Sequence, residues 1–126
     1  MELNRAGEDY LKAMLLLQEK KGEVRSAEVA RTLNVTRAST SKAVHVLMDR
    51  GFLTMDRRKR ICLTEAGRQA AEETLEKHRV IREILSSLGV EPETAEEDVC
   101  RIEHDLSRQS FDRVKQFWEQ HRENTG

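Results

Sequence analysis

The chain has 126 residues, enough for one domain or two tightly joined small units, with 37% hydrophobic and 36% charged residues. Its longest apolar runs are about as short as Met14-Leu15-Leu16-Leu17, whereas a spanning helix needs roughly 20 such residues, so a membrane protein is excluded; no basic segment followed by an apolar one marks a secretory signal. Two cysteines, Cys62 and Cys100, make no disulfide framework, so both thiols are expected free in a reducing cytoplasm, and a single proline and few glycines argue against an all-β fold. The net charge of −1 hides an asymmetry: residues 1–71 carry 14 Lys/Arg against 9 Asp/Glu, residues 72–126 carry 8 against 14, and residues 25–60 carry 9 against 3. A compact basic block in a nearly neutral chain is a footprint for a polyanion.

Taken in chain order, Glu8 to Lys20 predicts an amphipathic helix with Leu11, Met14, Leu15 and Gln18 on one face and Gly22 as its stop. A short extended piece, Val24-Arg25, follows. Ser26 is expected to cap a second helix reaching Leu33, with Ala27, Val29, Ala30 and Leu33 as its apolar stripe. Asn34-Val35 reads as a tight turn. Thr36 caps a third helix to Arg50, stopped by Gly51, with Thr40, Ala43, Val44 and Leu47 inward and Ala38, Ser41, Lys42, His45 and Asp49 outward. The period then shortens. Phe52–Met55 and Ile61–Leu63 predict two strands, joined by the charged connection Asp56-Arg57-Arg58-Lys59-Arg60. Thr64 opens a long helix from about Glu65 to Leu88, closed by Gly89; Pro92 starts a fifth to Leu106, and Ser107 caps a sixth to about Arg122.

The fold class that follows is mainly α with a small β-hairpin wing: a winged helix-turn-helix over residues 1–71 and a helical domain over 72–126, the long fourth helix spanning the boundary. A helix of this kind fits the major groove of duplex DNA. The expected DNA-binding set is Ser26, Thr36, Arg37, Ala38, Ser39, Ser41 and Lys42, with Arg57, Arg58, Lys59 and Arg60 as the wing tip gripping the adjacent backbone. A second motif is Cys100-Arg101-Ile102-Glu103-His104. Cys100, Glu103 and His104 stand at i, i+3 and i+4, so one helix face presents thiol, carboxylate and imidazole, ligand types for a divalent transition metal. One turn cannot complete a coordination sphere, so other helices must contribute; His78 and Asp9 are at hand, while Glu97 and Asp98 read as a solvated acidic face or as outer partners. No H-E-x-x-H or comparable catalytic spacing is present, so the chain is read as no enzyme.

These residues together resemble a known family. Glu8-Asp9-Tyr10-Leu11, the run Val35 to Val44, Leu63-Thr64-Glu65-Ala66-Gly67, Lys77-His78-Arg79, Leu88-Gly89-Val90 and the run Cys100 to Ser107 are similar, in order, to the diphtheria toxin repressor-like metalloregulators, including the manganese transport regulator branch. The resemblance implies a homodimeric repressor that binds a palindromic operator, with a divalent metal as corepressor of metal-homeostasis genes. It implies metal ligands at Asp9, His78, Cys100, Glu103 and His104. It implies dimer contacts from the fifth and sixth helices, where Val99, Ile102, Leu106, Phe111, Val114, Phe117 and Trp118 supply apolar surface that can equally be intrachain core. The SH3-like domain of longer iron-type members is expected to be absent. Asp9 matches the manganese branch and Cys100 the iron branch. Lys12 and Arg82 stand where the family offers acids, which favours one metal per subunit. Fe(II) or Mn(II) is the expected ion, with Zn(II), Co(II) or Ni(II) as surrogates. A metal joining the two halves would couple to DNA binding. The alternative is a thiol-redox repressor acting through Cys100.

Overall fold

A computed structural model describes residues 3–125. It contains α1 (Arg5–Lys21), α2 (Ser26–Leu33), α3 (Arg37–Asp49), β1 (Leu53–Met55), β2 (Ile61–Leu63), α4 (Glu65–Ser87), α5 (Pro92–Asp105) and α6 (Arg108–Thr125). Two compact units divide within α4, after Thr74. Among the described residues no helix is long and apolar enough to cross a membrane.

In the first unit, Leu11, Met14 and Leu15 of α1 are fully buried, together with Val29 of α2 and Thr40 of α3. Each large apolar side chain removed from water contributes about 1.5–3 kcal/mol, so α1 is the spine on which α2 and α3 rest. The helix begins three residues before the expected Glu8. Asn4 caps it, its Oδ1 accepting from the Gly7 amide at 2.7 Å; a polar first turn carries no apolar period to betray it. Gly22 ends α1 with φ 84°, its amide donating to the Gln18 carbonyl at 2.8 Å, a left-handed conformation that a side chain would oppose. Ser26 is not the α2 cap. Arg25 holds that position without a side-chain bond, and Ser26 is the first helical residue.

Asn34, also left-handed at φ 55°, makes the tight turn into α3. Thr36 caps α3 as expected, accepting from the Ser39 amide at 3.0 Å. Thr40, Val44 and Leu47 are buried, Ala43 half-buried, and Ala38, Ser41, Lys42, His45 and Asp49 exposed. The hairpin pairs Leu53 with Leu63, Thr54 with Cys62 and Met55 with Ile61, antiparallel. Val24 joins its edge, accepting from the Ile61 amide at 2.8 Å. Thr64 caps α4, accepting from the Gly67 amide at 3.1 Å and donating its own hydroxyl to the Gly51 carbonyl at 2.7 Å.

The second unit has its own core, in which Val80, Phe111 and Trp118 pack together with Ile84 and Leu106 against them. Polar bonds tie α6 to α4. The Trp118 indole donates to Glu83 Oε1 at 3.0 Å, Arg122 to the same oxygen at 2.9 Å, and Lys115 to Glu76 at 3.0 Å. Ser107 caps α6, accepting from the Ser110 amide at 3.1 Å.

Candidate functional site

The basic face of the first unit is built around α3 and the hairpin. A groove of about 690 Å³ is lined by Arg25, Ser26 and Ala27 at the start of α2, by Arg37, Ala38, Ser41 and His45 of α3, and by Met55 and Lys59 of the wing. Thus four of the expected α2 and α3 residues, Ser26, Arg37, Ala38 and Ser41, converge with Lys59. Ser39 and Lys42 face a separate groove of about 360 Å³ between α3 and the start of α1. Thr36 and Ser39 are bonded to each other through their hydroxyls at 2.9 Å, so part of their polar capacity serves the cap. Small side chains at 38 and 41, flanked by cations, leave room for a duplex to approach closely.

The four wing cations do not share one role. Arg57, Arg58 and Lys59 are exposed at the tip. Arg60 turns inward, its Nε on Asp56 Oδ2 at 2.7 Å and its Nη1 on Glu23 at 3.3 Å. Unlike the other three, the Arg60 guanidinium is engaged by two carboxylates of the chain itself. Arg25, which charge counting did not single out, donates from Nη1 to the Arg58 carbonyl at 2.9 Å. His45 also went unassigned, although its spacing of four from Ser41 placed it on the exposed face.

In the second unit, α4 brings His78 to the face of α5 that carries the expected ligands. His78 Nδ1 lies 2.7 Å from Glu103 Oε2, and His104 Nε2 lies 3.3 Å from Glu103 Oε1. The Glu103 side chain is wholly buried and that of His104 is 2% exposed. His78 Nε2 lies 3.2 Å from Glu96 Oε1. One donor atom each from His78, Glu96 and Cys100 lie within 4.8 Å of one another. Cys100 is the exposed member.

Glu96 was missed. Its signal was available, since Glu96, Cys100 and Glu103 follow at i, i+4 and i+7 on one helical face. Glu97 and Asp98, singled out in its place, are not in this group.

The donor set fits a divalent metal. A neutral imidazole has one N–H to give, yet both ring nitrogens of His78 face carboxylate oxygens, so one contact calls for a second proton or another cation. Glu96 Oε2 is buried without a hydrogen-bond partner; Arg82 Nη1 lies 3.6 Å from it. Thiol, imidazole and two carboxylates are ligands for Mn, Fe, Co or Zn.

The apolar residues expected at a dimer interface separate by exposure. Phe111 and Trp118 are buried in this unit's own core and Val99 is buried too, the intrachain alternative of the two expected; Ile102, Leu106 and Val114 are half-buried. Phe117, 70% exposed, and Leu88, 73% exposed, are its large open apolar side chains.

Comparison with known proteins agrees in both halves. Residues 2–61 match the family described as iron dependent repressor, N-terminal DNA binding domain, and residues 64–125 the one described as iron dependent repressor, metal binding and dimerisation domain. The HTH-type transcriptional regulator MntR of Listeria monocytogenes is 37% identical over 117 residues, covering 90% of this chain and 82% of that protein. The crystal structure of T. acidophilum IdeR superposes with a TM-score of 0.77 at 30% identity, over 89% of this chain and 53% of that one. The structure of ScaR with bound Zn2+ gives 0.75 at 25% identity, over 90% and 53%. The chain spans about half the length of these two solved proteins.

Proposed function

The chain belongs to the iron-dependent repressor family of metal-dependent transcriptional regulators, and from that premise we propose that it is a homodimeric repressor whose grip on a palindromic operator is set by Fe(II) or Mn(II). The observation that carries this reading is the convergence of His78, Glu96 and Cys100, on α4 and α5, in a group that holds a buried carboxylate oxygen without a hydrogen bond, with Glu103 on the other ring nitrogen of His78.

His78, Cys100, Glu103 and His104 are the ligands in this reading, and Glu96 joins them. Asp9, on α1, is assigned as the ligand from the DNA-binding half by the family resemblance. Lys12 cannot coordinate while protonated, and the Arg82 guanidinium stands beside Glu96; both favour a single ion per subunit. Imidazole and carboxylates suit Mn(II) or Fe(II), and the Cys100 thiolate shifts the preference toward Fe(II), with Zn(II), Co(II) or Ni(II) as substitutes. Cys100 acts here as a ligand and not as a redox switch, because it stands with an imidazole and a carboxylate.

The bound ion supplies charge neutralisation and fixed ligand geometry. A ligand set that draws on both halves favours whichever arrangement of recognition helices suits the ion. If that arrangement sets the two helices of a dimer about 34 Å apart, one duplex turn, metal and DNA binding strengthen each other reciprocally, by about 1–3 kcal/mol. Arg37, Ala38, Ser41 and Lys42 would meet the groove, and Arg57, Arg58 and Lys59 the flanking phosphates. Phe117 and Leu88 offer apolar surface for the second copy.

The test is a fluorescence-anisotropy titration of a duplex selected by the metal-loaded protein from a random library. Mn(II), Fe(II), Zn(II) and a chelator are compared, with Lys42→Ala as the interface variant. Metal should tighten binding about 5- to 150-fold, and Lys42→Ala should weaken it. Equal affinity with metal and with chelator would overturn the reading.

A further inference from the structure

The wing tip is a five-residue connection with a side chain at its centre. Asp56 Oδ1 accepts two backbone amides, from Arg58 and from Arg60, each at 2.9 Å. Its Oδ2 accepts from the Arg60 guanidinium at 2.7 Å. The Asp56 amide donates to the Arg60 carbonyl and the Lys59 amide to the Asp56 carbonyl, both at 3.0 Å. Lys59 is left-handed, φ 61°, a conformation that a lysine seldom takes without support from its surroundings. Outside the loop, Arg25 bonds the Arg58 carbonyl and Glu23 the Arg60 guanidinium. Seven polar contacts thus fix a segment whose three outward side chains, Arg57, Arg58 and Lys59, are all cations. Like charges on adjacent residues repel, so without an internal anion the tip would spread.

We propose that Asp56 is a positioning residue for nucleic-acid binding: its carboxylate staples the wing into the conformation that presents Arg57, Arg58 and Lys59 to the phosphate backbone. The proposal rests on the DNA-binding reading above and deepens it. The Arg60 amide, ahead of the Arg60 guanidinium and the Arg58 amide, holds the Asp56 carboxyl below the usual carboxylate range against the opposing effect of burial, so the staple stays ionised under the conditions of a binding assay.

The proposal makes a prediction opposite in sign to simple electrostatics. Removing an aspartate from a DNA-facing surface adds one positive charge, which alone would tighten binding to a polyanion. A staple predicts the reverse. Asp56→Ala should bind a selected duplex about ten-fold more weakly, which is what fixing the backbone of a single residue costs. Its salt dependence should not weaken, because Arg57, Arg58 and Lys59 remain to face the phosphates and Glu23 still engages the Arg60 guanidinium. Asp56→Asn keeps the oxygen that accepts the two amides and should recover most of the affinity.

Amide hydrogen exchange of the free protein tests the same staple without DNA. The Arg58 and Arg60 amides should lose protection in Asp56→Ala and keep it in Asp56→Asn. Three results would overturn the proposal: Asp56→Ala binding as tightly as the wild type or more so, Asp56→Asn as weak as Asp56→Ala, or unchanged exchange at both amides. If the wild type binds no duplex, the DNA-binding reading fails, and the exchange experiment still decides on the staple.

Discussion

Gly67 stands where α4 passes close to the backbone of Phe52, the residue just before β1. A Cβ built there would lie 1.9 Å from the Phe52 carbonyl oxygen, 3.0 Å from its carbon and 3.3 Å from Leu63 Cδ2. Comfortable carbon–oxygen approach is about 3.3 Å, so Gly67→Ala must push the helix and the Phe52 backbone apart by ~1.4 Å, and the obstacle is backbone that cannot rotate away. Two hydrogen bonds depend on that approach. The Thr64 amide donates to the Phe52 carbonyl at 3.1 Å and the Thr64 hydroxyl to the Gly51 carbonyl at 2.7 Å. At a net ~1 kcal/mol each, their loss costs about 2 kcal/mol. Alanine recovers about 1 kcal/mol of helix propensity. The balance is a destabilisation of ~1 kcal/mol. Urea denaturation followed by far-UV circular dichroism, with an unchanged m value, measures it. If Gly67→Ala is as stable as the wild type, or more stable, helix propensity outweighs the clash and this account of the Leu63-Thr64-Glu65-Ala66-Gly67 motif fails.

Two further outcomes are expected. Glu103→Gln keeps the shape of the buried side chain and removes its charge from between His78 and His104; Mn(II) affinity by calorimetry should fall by at least the ~10–100-fold typical of outer-shell partners, and an unaltered isotherm would remove Glu103 from the ligand set. Glu83 is held below its ordinary 4.5 mainly by the Trp118 indole N–H, then by Arg79 and Arg122, with burial opposing. A depressed carboxylate contributes stability in full above 4.5 and loses it as pH falls through its lower folded value. Emission from Trp118, the chain's sole tryptophan, should therefore show a step below pH 4.5, and Glu83→Gln should abolish that step.

The elements were legible because burial leaves a period. Leu11, Met14 and Leu15, or Thr40, Val44 and Leu47, recur at helical spacing because one face meets a core. The first turn of α1 was not legible, since Asn4 works through one hydrogen bond and no apolar residue. The same distinction separates the site residues. Cys100, Glu103 and His104 could be singled out as candidate ligands because one helical turn sets their spacing. Glu96 lay on that face a turn earlier, but its role comes from His78, which only folding brings to it.

Charge was the least legible property. Counting gave four wing cations, whereas Asp56 and Glu23 engage Arg60 and leave three at the tip. Apolar surface behaves likewise: Val99, Phe111 and Trp118 read identically to Phe117 in the sequence, yet the first three are covered by their own chain. A residue type reports what an atom can bond to; only the fold decides which partner reaches it first. The residues that act on something outside the chain are those whose capacity survives that internal competition. By that criterion the exposed Arg57, Arg58 and Lys59, and the Glu96 oxygen without a hydrogen bond, are the groups left for the proposed phosphate backbone and metal ion.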